Sequence, residues 1–364
     1  MEKAKKLAVI ICFALIIFGL GIAHFVLPDG AVSKVERRKL AQFPKITASA
    51  VFSAEYSKNL EKYLLDQFPA RDSFRTTKAV FSKDILRLSD NNDIYTVGNG
   101  VYKLEYPMKQ DQILMGTKKI EAIISAHPEI GKAYYSIIPD KNYFAAAQNG
   151  YPSIDYAEMR KFVQNNIKSA EYIDIFESLT IEDYYRTDTH WRQEKIHSVV
   201  ERLCKAMGVP CAPEADYKEN TLSPFYGVYA GQSALPLASE RIVYLTSAAT
   251  ENAKVTSVEH DAPISTYTLE DFNGNDPYDI FLSGAEAVVT IENPDAKTDK
   301  ELVIFRDSFG SSITPLLIDS YAKITLLDLR YIRTELISDY ANFDGADVLF
   351  LYSTMLINSA GILK

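Results

Sequence analysis

The run Glu301-Leu302-Val303-Ile304-Phe305-Arg306-Asp307-Ser308-Phe309-Gly310 decides how this chain is to be read. A short apolar stretch, Leu302 to Phe305, stops at Asp-Ser, and a second apolar segment, Ser311 to Ser320, follows at once. That segment forms a helix if Pro315 falls in its first turn, where a proline is tolerated. Strand, sharp turn and helix expose a serine hydroxyl at the turn. The first N–H groups of the helix then face any negative charge that develops there. Ser308 is therefore the candidate nucleophile. A second reading stands beside it, in which the serine only caps the helix. Asp307 reads as structural.

The surrounding elements fix the class. Lys132–Ile138, Lys323–Leu327 and Asp347–Tyr352 read as strands, and so does Tyr172–Phe176. Asp111–Ala126, Ile154–Ala170 and Thr334–Tyr340 read as helices between them. Strands alternating with helices imply an α/β fold, a mostly parallel sheet covered on both faces. Between Pro213 and Ala296 the texture changes to short β-rich runs, among them Ile242–Leu245, Val255–Val258, Ile264–Thr268, Ile280–Leu282 and Ala287–Ile291. Residues 213–296 thus read as a β-rich insertion. Asp93 to Pro107 reads as a hairpin around Gly98-Asn99-Gly100. No helix follows that Gly-x-Gly, so it is a turn and not a phosphate loop.

A second chemical element lies upstream, Tyr184-Tyr185-Arg186-Thr187-Asp188-Thr189-His190-Trp191. Ile196, Val199, Val200 and Leu203 then recur at helical spacing until Gly208 and Pro210, which predicts a helix over Arg192–Met207. A carboxylate two residues ahead of an imidazole can fix its tautomer and stabilise the imidazolium formed in proton transfer. With Ser308 these residues make a complete hydrolytic set. The bland alternative has Asp188 or Thr189 capping the helix. A metal reading of Asp188, His190 and His197 is disfavoured, because His197 would lie about two turns into that helix. No cofactor is expected.

Composition narrows the partners. The 364 residues are 47% hydrophobic and 24% charged, ample for a globular core. A formal net charge of -9 argues against a nucleic-acid partner. Of the three cysteines, Cys204 and Cys211 flank a helix end and read equally well as a pair or as two thiols. Leu7 to Leu27 is 21 residues without Asp, Glu, Lys or Arg, enough to span a hydrocarbon core of roughly 30 Å. Lys3, Lys5 and Lys6 precede it. The expected layout is a cytoplasmic tail (1–6), a transmembrane anchor (7–27), a basic stem (28–50) and an extracytoplasmic domain (51–364). A cleaved signal peptide is the alternative. Two helices open the domain, one from Val51 through Phe52, Tyr56, Leu60, Tyr63 and Leu64, the other over Phe74–Leu88.

Several of these elements occur together in a known family. Ser33 to Pro44 (SKVERRKLAQFP), Tyr63 to Asp72 (YLLDQFPARD), the Pro139-Asp140-Lys141 turn, Asp-Thr-His-Trp and the Asp-Ser element appear in this order. In this the chain resembles the SGNH-hydrolase-like proteins of bacterial polysaccharide O-acetylation, the alginate acetylation proteins and the DHHW family. The resemblance implies a three-layer α/β/α domain. It implies Ser308 as acyl-accepting nucleophile, His190 as general base and Asp188 as its orienting partner. The substrate would be a polysaccharide of the cell envelope, with a membrane-bound O-acyltransferase as acetyl donor. A non-catalytic glycan-binding or scaffold role is the alternative. Trp191, Arg306 and Lys141 are candidate substrate-binding residues. Trp191 also reads as core packing and Lys141 as the holder of a polar loop. The Ser308 N–H and Gly284 are candidate oxyanion donors. The pattern departs at Thr189, where the family name has His, and at Arg306, where SGNH enzymes usually carry Gly.

Overall fold

The computed structural model describes residues 2–46 and 54–364. The end of the stem and the helix start read at Val51 and Phe52 lie outside the described residues. The chain divides into two compact units, Met1–Asn92 with Ala230–Pro236, and Asp93–Tyr229 with Leu237–Lys364.

The first unit begins with the helix Glu2–Val26, long and apolar enough to cross a membrane. After it the two-residue strands β1 (Val32–Ser33) and β2 (Arg38–Lys39) pair antiparallel. Helices Ala54–Asp66 and Arg71–Val80 follow, the latter running on through a π-helical segment, Phe81–Ile85. The two amino-terminal motifs latch onto each other here. Asp66, almost fully buried, accepts both guanidinium nitrogens of Arg38, at 2.8 and 2.6 Å, and the N–H of Ala41 at 2.8 Å. Gln67 donates to the carbonyls of Gly30 and Ala41, both at 2.9 Å. Glu36 pairs with Arg71 at 2.5 Å and Arg75 at 3.3 Å. Burial works against the charge of Glu36, yet these guanidinium groups hold its carboxyl below the ordinary range.

The second unit is built on a seven-stranded sheet. Its chain order is the hairpin β3 (Ile94–Val97) and β4 (Gly100–Lys103), β5 (Lys132–Ile138), β6 (Glu171–Tyr172), β7 (Lys218–Phe225), β8 (Glu240–Thr246), β9 (Lys254–Ser257), β10 (Val288–Glu292), β11 (Glu301–Arg306), β12 (Lys323–Leu327) and β13 (Asp347–Ser353). The sheet runs β6-β5-β13-β11-β12-β10-β9, parallel from β6 through β12 and antiparallel for β10 and β9.

Side chains alternate across this sheet, as period-two geometry requires. Leu302, Ile304, Leu349 and Leu351 pack on one face, with Val199, Val200 and Leu203 of the helix His197–Met207. Val303, Phe305, Val348 and Phe350 pack on the other, with Ile113 and Ile120 of the helix Gln110–Ala126 and Met159 of the helix Tyr156–Asn166. The result is a three-layer α/β/α domain.

The β-rich stretch divides differently from its reading. β7 and β8 form a two-stranded sheet of their own, whereas β9 and β10 extend the main sheet. The runs at 264–268 and 280–282 contribute only isolated bridges, Val255 with Ile264 and Tyr267 with Phe281. Tyr172–Phe176 yields only the two-residue β6, because Asp174 turns the chain by accepting the Phe176 N–H. Cys204 and Cys211 are free thiols.

The Asp66 latch sets a pH limit on the first unit. Its bonds to Arg38 hold the Asp66 carboxyl at about 2, below its ordinary 3.8. A depressed carboxyl contributes its full stabilisation above its unfolded pKa and loses it as the pH falls through the folded one. The contribution, on the order of 2 kcal/mol, should be intact at pH 5 and vanish between about pH 4 and 2. Asp66→Asn should abolish this step. Amide exchange along Ala54–Asp66, followed against pH in both proteins, checks it.

Candidate active site

The site forms at the carboxyl ends of β5, β11 and β13, the usual position for ligands on an open parallel sheet. β11 delivers Asp307 and Ser308. Asp307, not Ser308, is the cap of the helix Ser308–Ile313: its carboxylate accepts the Phe309 N–H at 3.1 Å. Its other oxygen accepts the N–H of Ser353, at the end of β13, at 2.9 Å. The turn is thereby pinned to the neighbouring strand. Ser308 opens the helix half-exposed, relieved of the capping task that the bland reading assigned to it. The following segment Thr314–Ser320 is a 3-10 helix with Pro315 at its start, so the single helix read over 311–320 is split.

The Asp-x-His stretch differs from its reading as a helix entrance. The helix begins at His197, and residues 185–190 form a loop closed by a bridge between Tyr184 and Trp191. The Tyr185 N–H donates to the His190 carbonyl at 3.1 Å. Neither Asp188 nor Thr189 caps a helix. Asp188 is fully buried and takes His190 Nδ1 at 2.6 Å and the His190 N–H at 3.1 Å on one oxygen. The other oxygen takes the Val228 N–H at 2.7 Å. His190 Nε2 lies 2.7 Å from Ser308 Oγ. The carboxylate, imidazole and hydroxyl are thus in line, from 118 residues apart in sequence. Tyr278 stacks on the imidazole, 3.8 Å between centroids and 7° from parallel, and Phe309 meets it from 4.9 Å.

Four of the residues assigned on sequence to substrate or oxyanion have other tasks. Trp191 is wholly buried, and its indole N–H donates to Ser312 Oγ at 2.8 Å, so it packs the core and offers no sugar platform. Arg306 is also wholly buried. It donates to the carbonyls of Gly284 at 3.0 Å and Glu286 at 3.3 Å and faces Asp328 at 3.6 Å, out of reach of any substrate. Burial lowers its pKa and the Asp328 charge opposes that. Gly284 is no oxyanion donor, because its N–H donates to the Phe281 carbonyl at 3.1 Å.

Lys141 is buried. Its ammonium donates to the carbonyls of Val101, Tyr185, Arg186 and Asp188 at 2.6 to 3.1 Å. It clamps the backbone of the Asp-x-His loop and touches no open space. Burial pulls its pKa down to about 7, against the charges of Asp188 and Glu240.

Arg306 explains its own departure from the family pattern. A Cβ at Gly310 would sit 2.5 Å from Arg306 Cβ, so the helix after Ser308 passes the arginine only because residue 310 has no side chain. The space that a glycine before Asp-Ser would supply is supplied one helical turn later. Across this turn Ser308 Oγ still meets His190 Nε2 at 2.7 Å.

Sequence reasoning missed the outer supports. Glu240 accepts the N–H groups of Arg186 and Thr187, both at 2.7 Å, and the Thr187 hydroxyl. The Thr187 hydroxyl also takes the Gly227 N–H at 3.0 Å. Tyr278 donates to Ser312 Oγ at 2.7 Å. Tyr229 donates to Thr189 Oγ1 at 3.0 Å. Tyr229, Glu240 and Tyr278 lie 39 to 88 positions from His190 and carry no local motif. Only the fold brings them in.

Fold and site together define a three-layer α/β/α domain with an Asp–His–Ser chain at the sheet's carboxyl edge. The profile of the family described as DHHW protein matches residues 143–327, just over half the chain, and the chain belongs to that family. It is similar to a solved DHHW family protein from Eubacterium siraeum, at 19% identity and TM-score 0.58, over 75% of this chain and 95% of that one. It is similar to Bacillus cereus PatB1, solved with a sulfonyl adduct, at 17% identity and TM-score 0.56, over 72% and 97%. At such identities the likeness is one of fold. No curated protein sequence matches the chain.

The Lys141 clamp has a measurable consequence. Lys141→Met keeps the stem of the side chain but leaves four inward-facing carbonyls without their donor. The loss should be on the order of 3 kcal/mol in chemical denaturation of the purified protein. A change below about 0.5 kcal/mol would show that the loop holds itself.

Proposed function

We propose that this protein performs acetyl-ester chemistry on a cell-envelope or exported polysaccharide through an acyl-serine intermediate. The observation that carries the reading is the unbroken chain from Asp188 through His190 to Ser308. In this reaction His190 Nε2 takes the Ser308 proton as Oγ attacks the acetyl carbonyl. Asp188 holds the Nδ1–H tautomer and stabilises the imidazolium. The tetrahedral oxyanion meets the Ser308 N–H, one of the first-turn N–H groups that lack an intrahelical partner. The imidazolium returns its proton to the leaving group. A sugar hydroxyl then attacks the acyl-serine in transfer, or water in hydrolysis, with His190 again as base.

Transfer is favoured over hydrolysis, with a membrane-bound O-acyltransferase as the acetyl donor. This follows the resemblance to polysaccharide O-acetylation proteins. PatB1, which shares the fold, carries a sulfonyl adduct, and a sulfonyl fluoride is a fitting probe of Ser308 here. The scaffold alternative rests on Arg306 altering the turn at Ser308; the close passage of Gly310 over Arg306, with Ser308 held against His190, supports the catalytic reading.

The full chain in detergent, given an activated acetyl ester, should gain one acetyl group on Ser308, read by peptide mass. Ser308→Ala should abolish the adduct. His190→Ala should slow its formation by on the order of 10⁴ to 10⁶, and Asp188→Ala by less. Equal slow acetate release by wild type and Ser308→Ala would leave the serine without a chemical role.

For location, the proposed arrangement keeps Glu2–Val26 as an anchor with Lys3, Lys5 and Lys6 in the cytoplasm and the α/β domain outside. A reporter fused after Lys364 should be active only outside the cytoplasm. Activity inside would remove both the topology and the substrate class.

A further inference from the structure

The helical hairpin of the first unit is built inside out. Along Arg71–Ile85 the residues turned inward are small, Ala79 and Ser82, both buried. The large apolar residues point outward: Phe74, Phe81 (51% exposed) and Ile85 (65%), at spacings of seven and four that keep them on one helical stripe, with Leu86 and Leu88 exposed just past the helix end. At the hairpin turn Leu65 is 63% exposed, and Phe68 and Phe74 meet edge to face at 5.5 Å. A helix facing only water would place these residues the other way round. An exposed apolar patch of this size marks a contact surface.

The occupant follows from three observations. The first is tethering. His24, near the end of Glu2–Val26, packs edge-on against Tyr63 at 5.7 Å. Gly30 exchanges two hydrogen bonds with the Gln67 side chain, both 2.9 Å. Three residues lie between Val26 and Gly30, so Gly30, which the Gln67 side chain holds at the hairpin turn, lies within about 14 Å of the end of that helix. The second is depth: the headgroup layer on each side of a bilayer is roughly 5 to 8 Å thick, so the turn sits at or just above headgroup level. The third is charge. Residues 71–88 carry five basic side chains, Arg71, Arg75, Lys78, Lys83 and Arg87, against Asp72 and Asp84, in a chain whose formal charge is -9. Arg71 and Arg75 are engaged with Glu36, while Lys78, Lys83 and Arg87 are exposed beside the apolar stripe. Apolar side chains flanked by basic ones suit the interface of an anionic membrane.

We propose that the hairpin 54–88 rests on the lipid surface beside the anchor. Leu65, Phe68, Phe74, Phe81 and Ile85 lie at the acyl boundary, and Lys78, Lys83 and Arg87 lie among anionic headgroups. The inference rests on the anchor reading given above. The hairpin then acts as a foot that fixes the first unit against the bilayer, which a single flexible tether would not do.

The test uses the full chain in its native membrane. A photoreactive benzoylphenylalanine replaces, in separate chains, Phe81, Leu15 within the anchor, or the exposed Lys118 of the second unit. After illumination, adducts are identified by mass. Lipid adducts at positions 15 and 81 but not 118 are expected. The adduct at 81 should fall several-fold when Lys78, Lys83 and Arg87 are all changed to Glu. Lipid at 15 with a protein adduct, a second copy or no adduct at 81 overturns the inference and leaves the anchor standing. Absence of lipid at 15 overturns the anchor and the inference with it.

Discussion

One buried ammonium organises the end of this molecule where Asp188, His190 and Ser308 meet. Lys141 reaches from the end of β5 into a ring of backbone carbonyls belonging to β4 and to the loop that carries Asp188. An ammonium has three N–H donors, and here four carbonyls share them. The loop from Tyr185 to His190 has no helix or strand of its own to set its course. Its backbone acceptors are satisfied from outside, by Lys141, by the Val101 N–H at Arg186 and by the Tyr229 N–H at Thr187, and two of its donors by Glu240. Remove the ammonium and the carbonyls of Val101, Tyr185 and Asp188 lose their side-chain donor, while that of Arg186 keeps only the Val101 N–H, a cost that a loop of six residues cannot offset by itself. The adjoining Asp140 serves the same end. It caps the helix Lys141–Ala145 and accepts from Tyr156 and Thr354, tying β5 to β13. The Pro-Asp-Lys turn thus fixes Asp188 and His190 without facing the substrate.

The same logic holds on the serine side. Asp307 bonds forward to its own helix and sideways to β13, so the turn at Ser308 is set by two elements at once. Arg306 adds a bulky charge beneath it and Gly310 makes the room. Position 310 is where the conformation of the turn depends on a missing side chain. The stack of Tyr278 on His190 then limits the imidazole to one plane, in which both of its nitrogens have partners. An imidazole so held keeps Nε2 aimed at the Ser308 hydroxyl with no rotational freedom left to lose, which is the structural content of preorganisation.

Much of this was legible in the sequence, and the limits of legibility are physical. The central strands were readable within one residue because buried parallel strands are short, continuous apolar runs. The helix after Trp191 was read five residues too long. Arg192 to Ile196 keep the apolar spacing, yet their backbone is occupied in a 3-10 turn and in the hydrogen bond from the Arg192 N–H to Asp183. The β-rich stretch was misdivided because period-two patterning does not say which sheet a strand joins. Ser308, His190 and Asp188 were readable because each sits in a local pattern. Glu240, Thr187 and Tyr278 were not, since their part is defined only by long-range contact. Arg306 misled because a residue type common at binding surfaces is here spent on the interior, while Trp191 takes the core role that its sequence context also allowed.

The motifs shared with the family therefore divide into two kinds, and the division cuts across residue chemistry. Asp188, His190 and Ser308 meet one another and a half-exposed edge. Asp66, Arg38, Gln67, Asp140, Lys141 and Asp307 are equally polar and equally patterned, but each is committed to backbone groups or to a partner of opposite charge. A polar residue in a sequence motif is as often the fastener of a turn as it is a reactant. What separates the two is whether its hydrogen-bonding capacity is already used in the folded chain. By that criterion the amino-terminal motifs are the fastening of the first unit, and their charged residues hold one another while its large apolar residues stay outside.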